Sequence, residues 1–178
     1  METQVLDFDL TEIIDGVEVI GYSPFGRHQA VCMRIVDVIL HHLRKNRTGN
    51  LYFSPLDVIL EEGVQRLQPD IIFIRKENMA IFQDYIRGVP DMVCEVVSMG
   101  SVTKDTVTKK KIYEKFKVTE YWIVIPELET IEIFTIKGDA YGVFSTAEGA
   151  VEGNGMVKSK VIDGLVINVD DIFGDFPQ

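Results

Sequence analysis

The chain has 178 residues, 46% of them hydrophobic and 26% charged, which is the composition of a globular protein rather than a disordered or fibrous one. Its formal net charge of -10 argues against a protein that coats nucleic acid non-specifically, because such proteins are usually basic. No apolar run approaches the roughly 20 residues of a membrane-spanning helix, and the N-terminal segment lacks the basic and apolar parts of a signal peptide, so we expect a cytoplasmic protein.

The first half of the chain is predicted to combine short strands with one helix, after a loosely held start over residues 1–10. The helix follows Ser23-Pro24 and carries an apolar stripe at helical spacing. The predicted elements are, in chain order, a hairpin over residues 13–20 that turns at Asp15-Gly16, the helix over residues 27–43, strands over residues 51–60 and 66–74, and a polar loop with one helical turn over residues 75–89.

The second half contains a strand–helix–strand unit, with Ser101 or Thr103 as the expected helix N-cap. Such a unit favours parallel pairing with a right-handed crossover and therefore an α/β core with a mixed sheet. No linker or repeat is visible, so we expect one domain over residues 1–178. The predicted elements are a strand over residues 92–98, a helix over 104–116, strands over 120–125, 130–136 and 140–144, a Gly-rich loop over 145–157, one or two short strands within 158–167, and a turn over 169–173.

Two cysteines, Cys32 and Cys94, lie far apart in apolar stretches. This placement is typical of buried free thiols in an intracellular protein, with a disulfide or a metal pair as the alternative. The histidines, His28, His41 and His42, do not combine with the cysteines at the spacing of a zinc site. An isolated histidine is more often structural than functional.

One acidic residue, Glu95, interrupts the apolar strand over residues 92–98. Val93, Glu95 and Val97 point to one face, and the opposite face is apolar as well, so the carboxylate is embedded wherever it points. Either the strand lies at a sheet edge with Glu95 at its rim, or the carboxylate is held for a metal or a cation, because an unpaired buried charge is costly.

One basic residue, Lys109, falls on the apolar face of the helix over residues 104–116, together with Ile112, Tyr113 and Phe116. Asp105 lies one turn earlier on the same line. Either Lys109 extends past the edge of the core and pairs with Asp105, or it belongs to a site. The segment from Lys104 to Lys117 holds six of the 18 basic residues, which indicates a positive face or a solvated helix surface.

A second carboxylate, Asp70, follows Pro69 at the start of the strand over residues 66–74, a place where aspartate is also common in turns. If this strand neighbours the strand of Glu95, the two carboxylates converge on one divalent cation such as Mg²⁺. With Lys109 beside them, two carboxylates and a lysine around a metal are the smallest set of groups that can hydrolyse a phosphodiester.

The order of these motifs resembles the bacterial Uma family of restriction endonuclease-like proteins, in the PD-(D/E)XK nuclease superfamily. The resemblance runs from about residue 10 to residue 136. It is carried by EIIDG at Glu12–Gly16, Ser23-Pro24 with His28, Pro69-Asp70-Ile71, PDMVCEVVS at Pro90–Ser98, Asp105, Lys109 and Tyr113, and VTEYWIV at Val118–Val124.

This resemblance implies a restriction endonuclease-like core, a mixed β-sheet flanked by helices with additional antiparallel strands. It makes Asp70 the acid of the first motif and Glu95 the acid of the second. The lysine expected two places after Glu95 is replaced by Val97, and its role passes to Lys109 on the helix. Further residues match the family pattern without a defined role, namely Glu12, His28, Asp91, Asp105 and Tyr113; departures are Met99 in place of Pro, Lys117 in place of Gly, and Ile125 in place of Asp.

Together these features predict a Mg²⁺- or Mn²⁺-dependent deoxyribonuclease, with Asp70 and Glu95 on the metal, Lys109 on the attacking water and DNA as substrate. We also expect a homodimer that pairs through an edge supplied by residues 120–136. One alternative is a catalytically silent nuclease fold that binds DNA or a protein partner. Another is a structural or toxin-partner protein with an interface on the same strands.

Overall fold

The computed structural model describes residues 10–21, 25–149 and 155–174. The predictions for the first nine residues, for Ser23-Pro24 and for the middle of the Gly-rich loop lie outside these ranges.

The chain order of the described elements matches the predicted strand-rich α/β pattern. These elements are β1 (Thr11–Ile14), β2 (Val17–Ile20), α1 (Gly26–Lys45), β3 (Gly49–Phe53), β4 (Val58–Glu61), β5 (Gln65–Leu67), β6 (Ile71–Arg75), a 3₁₀ helix (Lys76–Ile81), β7 (Ile86–Arg87), β8 (Met92–Val96), a π-helical segment (Lys104–Lys109) that continues into α2 (Lys110–Lys115), β9 (Glu120–Ile125), β10 (Thr130–Lys137), β11 (Ala140–Glu148), β12 (Met156–Lys158), β13 (Val166–Asn168) and α3 (Val169–Phe173).

The main sheet has six strands in the order β11-β10-β9-β8-β6-β3. Strands β8 and β9 pair in parallel across the helical crossover, as the strand–helix–strand unit predicts, and the other neighbours are antiparallel. Because β8 lies between β6 and β9, the interpretation of Glu95 as an edge residue is wrong. The proposed edge over residues 120–136 is wrong too, since β9 and β10 are interior and the described edges are β11 and β3.

The two faces of the main sheet are covered by different elements. Helix α1 packs its buried stripe, Val31, Ile35 and Ile39, onto the face that carries Cys94 and β9's Trp122. On the other face, α2 packs through Ile112 and Tyr113 against Val93 and Val97. Side chains alternate along β8, so Glu95 points to the α2 face. A smaller sheet, β2-β1-β5-β4-β7, supplies further cover there through Leu67.

Two predicted strands are each divided by a proline. Residues 51–60 become β3 and β4, in different sheets, with Pro55 between them, and residues 66–74 become β5 and β6 on either side of Pro69. Proline has no backbone N–H for a strand ladder, so pairing stops there and the chain can change sheets.

Some element ends also differ from the prediction. Strand β11 continues to Glu148, into the predicted loop. Residues 169–173 form α3 rather than a turn, because the Asn168 side chain caps the helix by accepting a hydrogen bond from the Asp170 N–H. Neither predicted N-cap of the crossover helix is used as one: Thr103 makes no capping bond, and Ser101 Oγ accepts from the Ser98 N–H at 3.0 Å.

The end of α2 explains one departure from the family pattern. Lys117, where the family has glycine, adopts φ +61° just after the helix, in the left-handed region that glycine favours. Lys117 therefore adopts the left-handed conformation that glycine would adopt in the family, and for a residue with a side chain this conformation costs about 1 kcal/mol. Lys117 Nζ donates to the Asp139 carbonyl at 2.8 Å, which helps to hold the turn.

Candidate active site

The buried pair Glu95 and Lys109 forms the centre of the site. Their side chains are 3% exposed, and Lys109 Nζ donates to Glu95 Oε1 at 3.0 Å. Tyr113, one turn further along the helix, donates its hydroxyl to the same oxygen at 2.8 Å. The alternative in which Lys109 extends past the core edge is wrong, because its ammonium ends inside the protein.

A third partner comes from the small sheet. Glu12, on β1, lies with Oε1 at 2.8 Å from Lys109 Nζ and with Oε2 at 3.0 Å from Lys104 Nζ. The Gln68 N–H also donates to Glu12 Oε1 at 2.9 Å. Glu12 is therefore part of the site, and the hairpin that carries it closes one side of the pair.

The π-helical segment explains how two lysines reach one carboxylate. In a π-helix each N–H bonds to the carbonyl five residues earlier, so residues five apart, such as Lys104 and Lys109, lie near each other. In an α-helix they would point in clearly different directions. The same segment buries Asp105, whose Oδ1 lies 3.8 Å from Lys109 Nζ and has no hydrogen-bond partner among the described residues.

The neighbouring strand brings Asp70 to this centre. As the prediction requires, β6 and β8 are adjacent, and their register, Ile71 opposite Cys94, places Asp70 opposite Glu95 when it is continued by one residue. Asp70 Oδ2 accepts from the Val96 N–H at 2.7 Å. The Asp70 side chain is 19% exposed, so it lies on the open side of the site.

Helix α1 contributes His28 and Cys32 from the opposite face of the sheet. His28 Nε2 lies 3.2 Å from Asp70 Oδ2, and its Nδ1 lies 3.6 Å from Cys32 Sγ. His28 was expected from the family pattern. Cys32 was not, although its distance of four residues from His28 on a helix places both side chains on one face.

The acidic side chains of the site outnumber the basic ones. Four carboxylates face two ammonium groups, a formal excess of two negative charges before His28 is counted; they belong to Glu12, Asp70, Glu95 and Asp105, and to Lys104 and Lys109. Burial lowers the pKa of His28, but its hydrogen bond to Asp70 and the charge of Asp70 outweigh this and raise it.

Burial and the neighbouring charges together shift the pKa values of these residues. Burial raises the pKa of Glu95 well above its ordinary value, despite the nearby Lys109, and Asp105 and Asp70 raise it further. Burial also raises the pKa of Asp105. For Lys109, burial opposes the charge, but the carboxylates of Glu95 and Glu12 outweigh it and raise its pKa, so the ammonium stays charged.

The residues present fit a divalent cation. Glu95 Oε1 and Asp70 Oδ2 accept the protein hydrogen bonds, which leaves Glu95 Oε2 and Asp70 Oδ1 outside those bonds. Carboxylate oxygens are the ligands that hard cations prefer, and two positive charges would cancel the formal excess. Asp105 Oδ1, buried without a hydrogen bond, is a further oxygen in need of a partner.

The structure separates Asp91 from these residues. Asp91 precedes β8 at the end remote from Glu95's neighbour Val96, and its Oδ2 accepts from the Arg75 N–H at 2.9 Å and from Asn78 Nδ2 at 3.0 Å. Its contacts are those of a residue that fixes the loop after β6. An open pocket of about 470 Å³ also lies by Arg75 and contains none of the site residues.

A family model shows the family of this chain, and a solved structure shows its fold. The family model Uma2, described as "Putative restriction endonuclease", matches residues 9–169. A crystal structure described as "a putative nuclease belonging to DUF820", from Anabaena variabilis, is similar with a TM-score of 0.69 and 20% sequence identity, over 92% of this chain and 89% of that one. No curated protein matches. Within the described ranges, no helix is long and apolar enough to cross a membrane.

Proposed function

Since this chain belongs to the Uma2 family, described as "putative restriction endonuclease", we propose that it is a metal-dependent nuclease that hydrolyses phosphodiester bonds of DNA. The observation that supports this most is the placement of the Lys109 ammonium between Glu95 and Glu12, next to a strand that presents Asp70. Restriction endonuclease-like proteins generally use divalent metals, and the donor oxygens present here suit one.

We assign the metal ligands to Asp70 and Glu95, with Mg²⁺ or Mn²⁺ as the ion. When bound, such an ion lowers the pKa of water and offsets the negative charge that builds up on the phosphate. The protein's own part is to hold the two carboxylates on adjacent strands. The Val96 N–H fixes Asp70 and the Tyr113 hydroxyl fixes Glu95, so both carboxylates keep one oxygen free to face the ion.

Lys109 acts as a fixed cation rather than as a base. Its carboxylate neighbours raise its pKa, so it does not accept a proton at neutral pH. Its ammonium is suited to orient the attacking water and to stabilise the negative charge of the phosphate in the transition state. Glu12 is a positioning residue, because its Oε1 holds the ammonium at 2.8 Å while Glu95 Oε1 holds it at 3.0 Å.

Plasmid cleavage tests the proposal. In Mg²⁺, we expect the wild-type protein to nick or linearise supercoiled plasmid and the Lys109→Ala protein to be slower by about 10²-fold or more, as for loss of a charge-stabilising group. The matched control is Lys111→Ala, which removes an exposed lysine two residues away and should cleave like the wild type. Equal cleavage by wild type and Lys109→Ala, or none by either with Mg²⁺ and Mn²⁺, would contradict the proposal.

A second candidate is a nuclease fold that binds DNA or a protein partner without cleaving it. It is favoured by the burial of Lys109, whose ammonium is already bonded to two carboxylates inside the protein. The two candidates differ in metal binding. Calorimetric titration with Mn²⁺ should show binding that Asp70→Asn and Glu95→Gln abolish if the chain is a nuclease, and no such binding if it is a silent module.

A further inference from the structure

A cluster of nitrogen, sulfur and oxygen donors lies beside the proposed Mg²⁺ ligands. His28 and Cys32 share one face of α1, and Asp70 meets them from the start of β6. One donor atom from each residue can be chosen so that all three lie within 4.8 Å of one another. Cys32 has no part in the proposed hydrolysis, so its place in the cluster needs a separate explanation.

The spacing of these donors suits a small tetrahedral ion. Bonds of about 2.3 Å to sulfur and about 2.0 Å to nitrogen put the two donor atoms about 3.5 Å apart. The distance from Cys32 Sγ to His28 Nδ1 is 3.6 Å, whereas Asp70 Oδ2 contacts the other ring nitrogen, Nε2, at 3.2 Å. A single ring nitrogen still lies within 4.8 Å of both other donors. Thiolate and imidazole are ligands that Zn²⁺ accepts readily, whereas Mg²⁺ prefers oxygen.

We propose that His28, Cys32 and Asp70 form a second metal site, which binds a thiophilic divalent ion such as Zn²⁺. One set of contacts already orders the site: the Val96 N–H donates to the Asp70 carboxylate, whose Oδ2 lies 3.2 Å from His28 Nε2. Contacts of this kind orient ligands before the metal arrives. Cys32 is half-buried, so an ion can reach it from the open side near Asp70.

The thiol is neutral until an ion binds. Burial and the negative charge of Asp70 and Glu95 raise the pKa of Cys32. Binding of Zn²⁺ therefore releases to solvent the thiol proton, and with it the extra proton of His28 where the imidazole is charged, and bonds form to the thiolate and to the neutral imidazole. No oxidant or reductant is involved.

Asp70 is shared between this site and the Mg²⁺ site, so the two ions compete for it. This consequence rests on the proposed function, whereas the zinc site itself does not. We expect Zn²⁺ to weaken Mg²⁺ binding in the wild-type protein and to have much less effect in the Cys32→Ser protein. Thiophilic ions would thus switch the nuclease off through Asp70.

Cobalt spectroscopy tests the site without any activity assay. Co²⁺ substitutes for Zn²⁺ and gives a thiolate-to-cobalt charge-transfer band in the near ultraviolet when cysteine is a ligand. We expect this band in the wild-type protein, its displacement by Zn²⁺, and its absence in Cys32→Ser. Zinc affinity, measured against a chromophoric chelator, should fall about 10-fold or more in Cys32→Ser and in His28→Gln.

Two control variants test whether the cobalt band comes from Cys32 at the proposed zinc site. Cys94→Ala removes the other thiol and should keep the band, because Cys94 is outside the cluster. Glu95→Gln removes a proposed Mg²⁺ ligand and should also keep it, so a failed nuclease assay does not decide this test. No band in the wild-type protein, or an equal band in Cys32→Ser, would overturn the zinc site.

Discussion

At the scale of single residues, the pairing of Glu95 with Lys109 lowers the free-energy cost of burying both charges without making their burial favourable. Breaking a buried pair costs several kcal/mol when it leaves a charge alone, yet replacing such pairs with neutral groups often stabilises a protein. Three carboxylates lie within 3.8 Å of the Lys109 ammonium, more negative charge than its single positive charge neutralises. Glu95 is thus the residue whose charge the apo protein holds at a cost.

This cost predicts the effect of Glu95→Gln on stability. The folded pKa of Glu95 is raised above its ordinary value of 4.5, so the folded state binds more protons than the unfolded state above that pH. The stability contributed by Glu95 is therefore present below pH 4.5 and lost as pH rises through the folded pKa. We expect Glu95→Gln to be more stable than wild type by about 1 kcal/mol at pH 8, and not at pH 4.5, in urea unfolding with EDTA.

The matched control is Glu12→Gln. The pKa of Glu12 is lowered despite its burial, because Lys109, the Gln68 N–H and Lys104 stabilise its charge. Its contribution is present above the ordinary pKa and lost as pH falls through the folded one, so Glu12→Gln should be less stable than wild type at pH 8. If Glu95→Gln is less stable than wild type at pH 8, the conclusion that the ionised Glu95 destabilises the folded protein is wrong.

The central charged residues were predictable because they break local rules. Glu95 interrupts an apolar strand and Lys109 an apolar helix face, and both signals are visible in the sequence. Glu12 had no such signal: it lies on a four-residue strand beside Thr11 and Ile13, where its only mark in the sequence is the match to the family motif. The packing of the small sheet against the helix brings it to Lys109. The partnership of Cys32 with Asp70 likewise depends on the packing of α1 against the main sheet.

At the scale of elements, the π-helical segment shapes the site. It allows Lys104 and Lys109 to hold the two oxygens of Glu12 while Asp105 stays buried beside them. A regular α-helix predicts the common face of Lys109 and Tyr113 correctly, but it turns Lys104 away. Single π-turns inside helices are frequent at functional sites, in agreement with this placement.

Removal of the Lys104 contact tests the role of this segment. Lys104→Ala takes away the ammonium that lies 3.0 Å from Glu12 Oε2, on a carboxylate that is only 4% exposed. We expect the free energy of unfolding to fall by about 1–3 kcal/mol, because a buried carboxylate oxygen loses its partner. Chemical denaturation measures this change. Lys111→Ala, which removes an exposed lysine of α2, is the control; an equal loss in both proteins would contradict the role given to the Lys104 contact.

The strand pattern shows what sequence periodicity conveys and what it omits. Apolar runs located nearly every strand, since burial on a pleated face requires them. They did not reveal that residues 51–60 and 66–74 each contribute to two sheets, because the partner of a strand is set by distant segments. The prolines at 55 and 69 were the available signal, and each marks the point where the chain changes sheets.

At the scale of the whole molecule, the main sheet presents the site between two covering layers. Asp70 and Glu95 come from adjacent strands, the lysines from the helix on one face, His28 and Cys32 from the helix on the other, and Glu12 from the small sheet. The site therefore depends on packing between segments that are distant in the sequence. Its two acids and its lysine, Asp70, Glu95 and Lys109, follow one another along the chain in the order of the family pattern. The family resemblance found in the sequence is confirmed over residues 9–169.

The expected homodimer stays a prediction, with a changed interface. The described edges of the main sheet are β11 and β3, and β11 exposes Val143 and Phe144. An exposed edge strand with apolar side chains is a natural place for pairing. Sedimentation equilibrium should give twice the chain mass of 20.2 kDa, and Val143→Lys should lower it towards the monomer. A monomer mass for wild type at all concentrations would contradict the dimer.

The most direct test of the account is the position of a bound ion. Anomalous diffraction from crystals soaked in Mn²⁺ should show a peak in contact with carboxylate oxygens of both Asp70 and Glu95, at about 2.0–2.6 Å. The peak should disappear in Glu95→Gln and persist in Asp91→Asn, whose changed residue lies away from the site. A peak that touches neither carboxylate, or none in crystals that bind Mn²⁺ elsewhere, would contradict the assignment of Asp70 and Glu95 as a metal site.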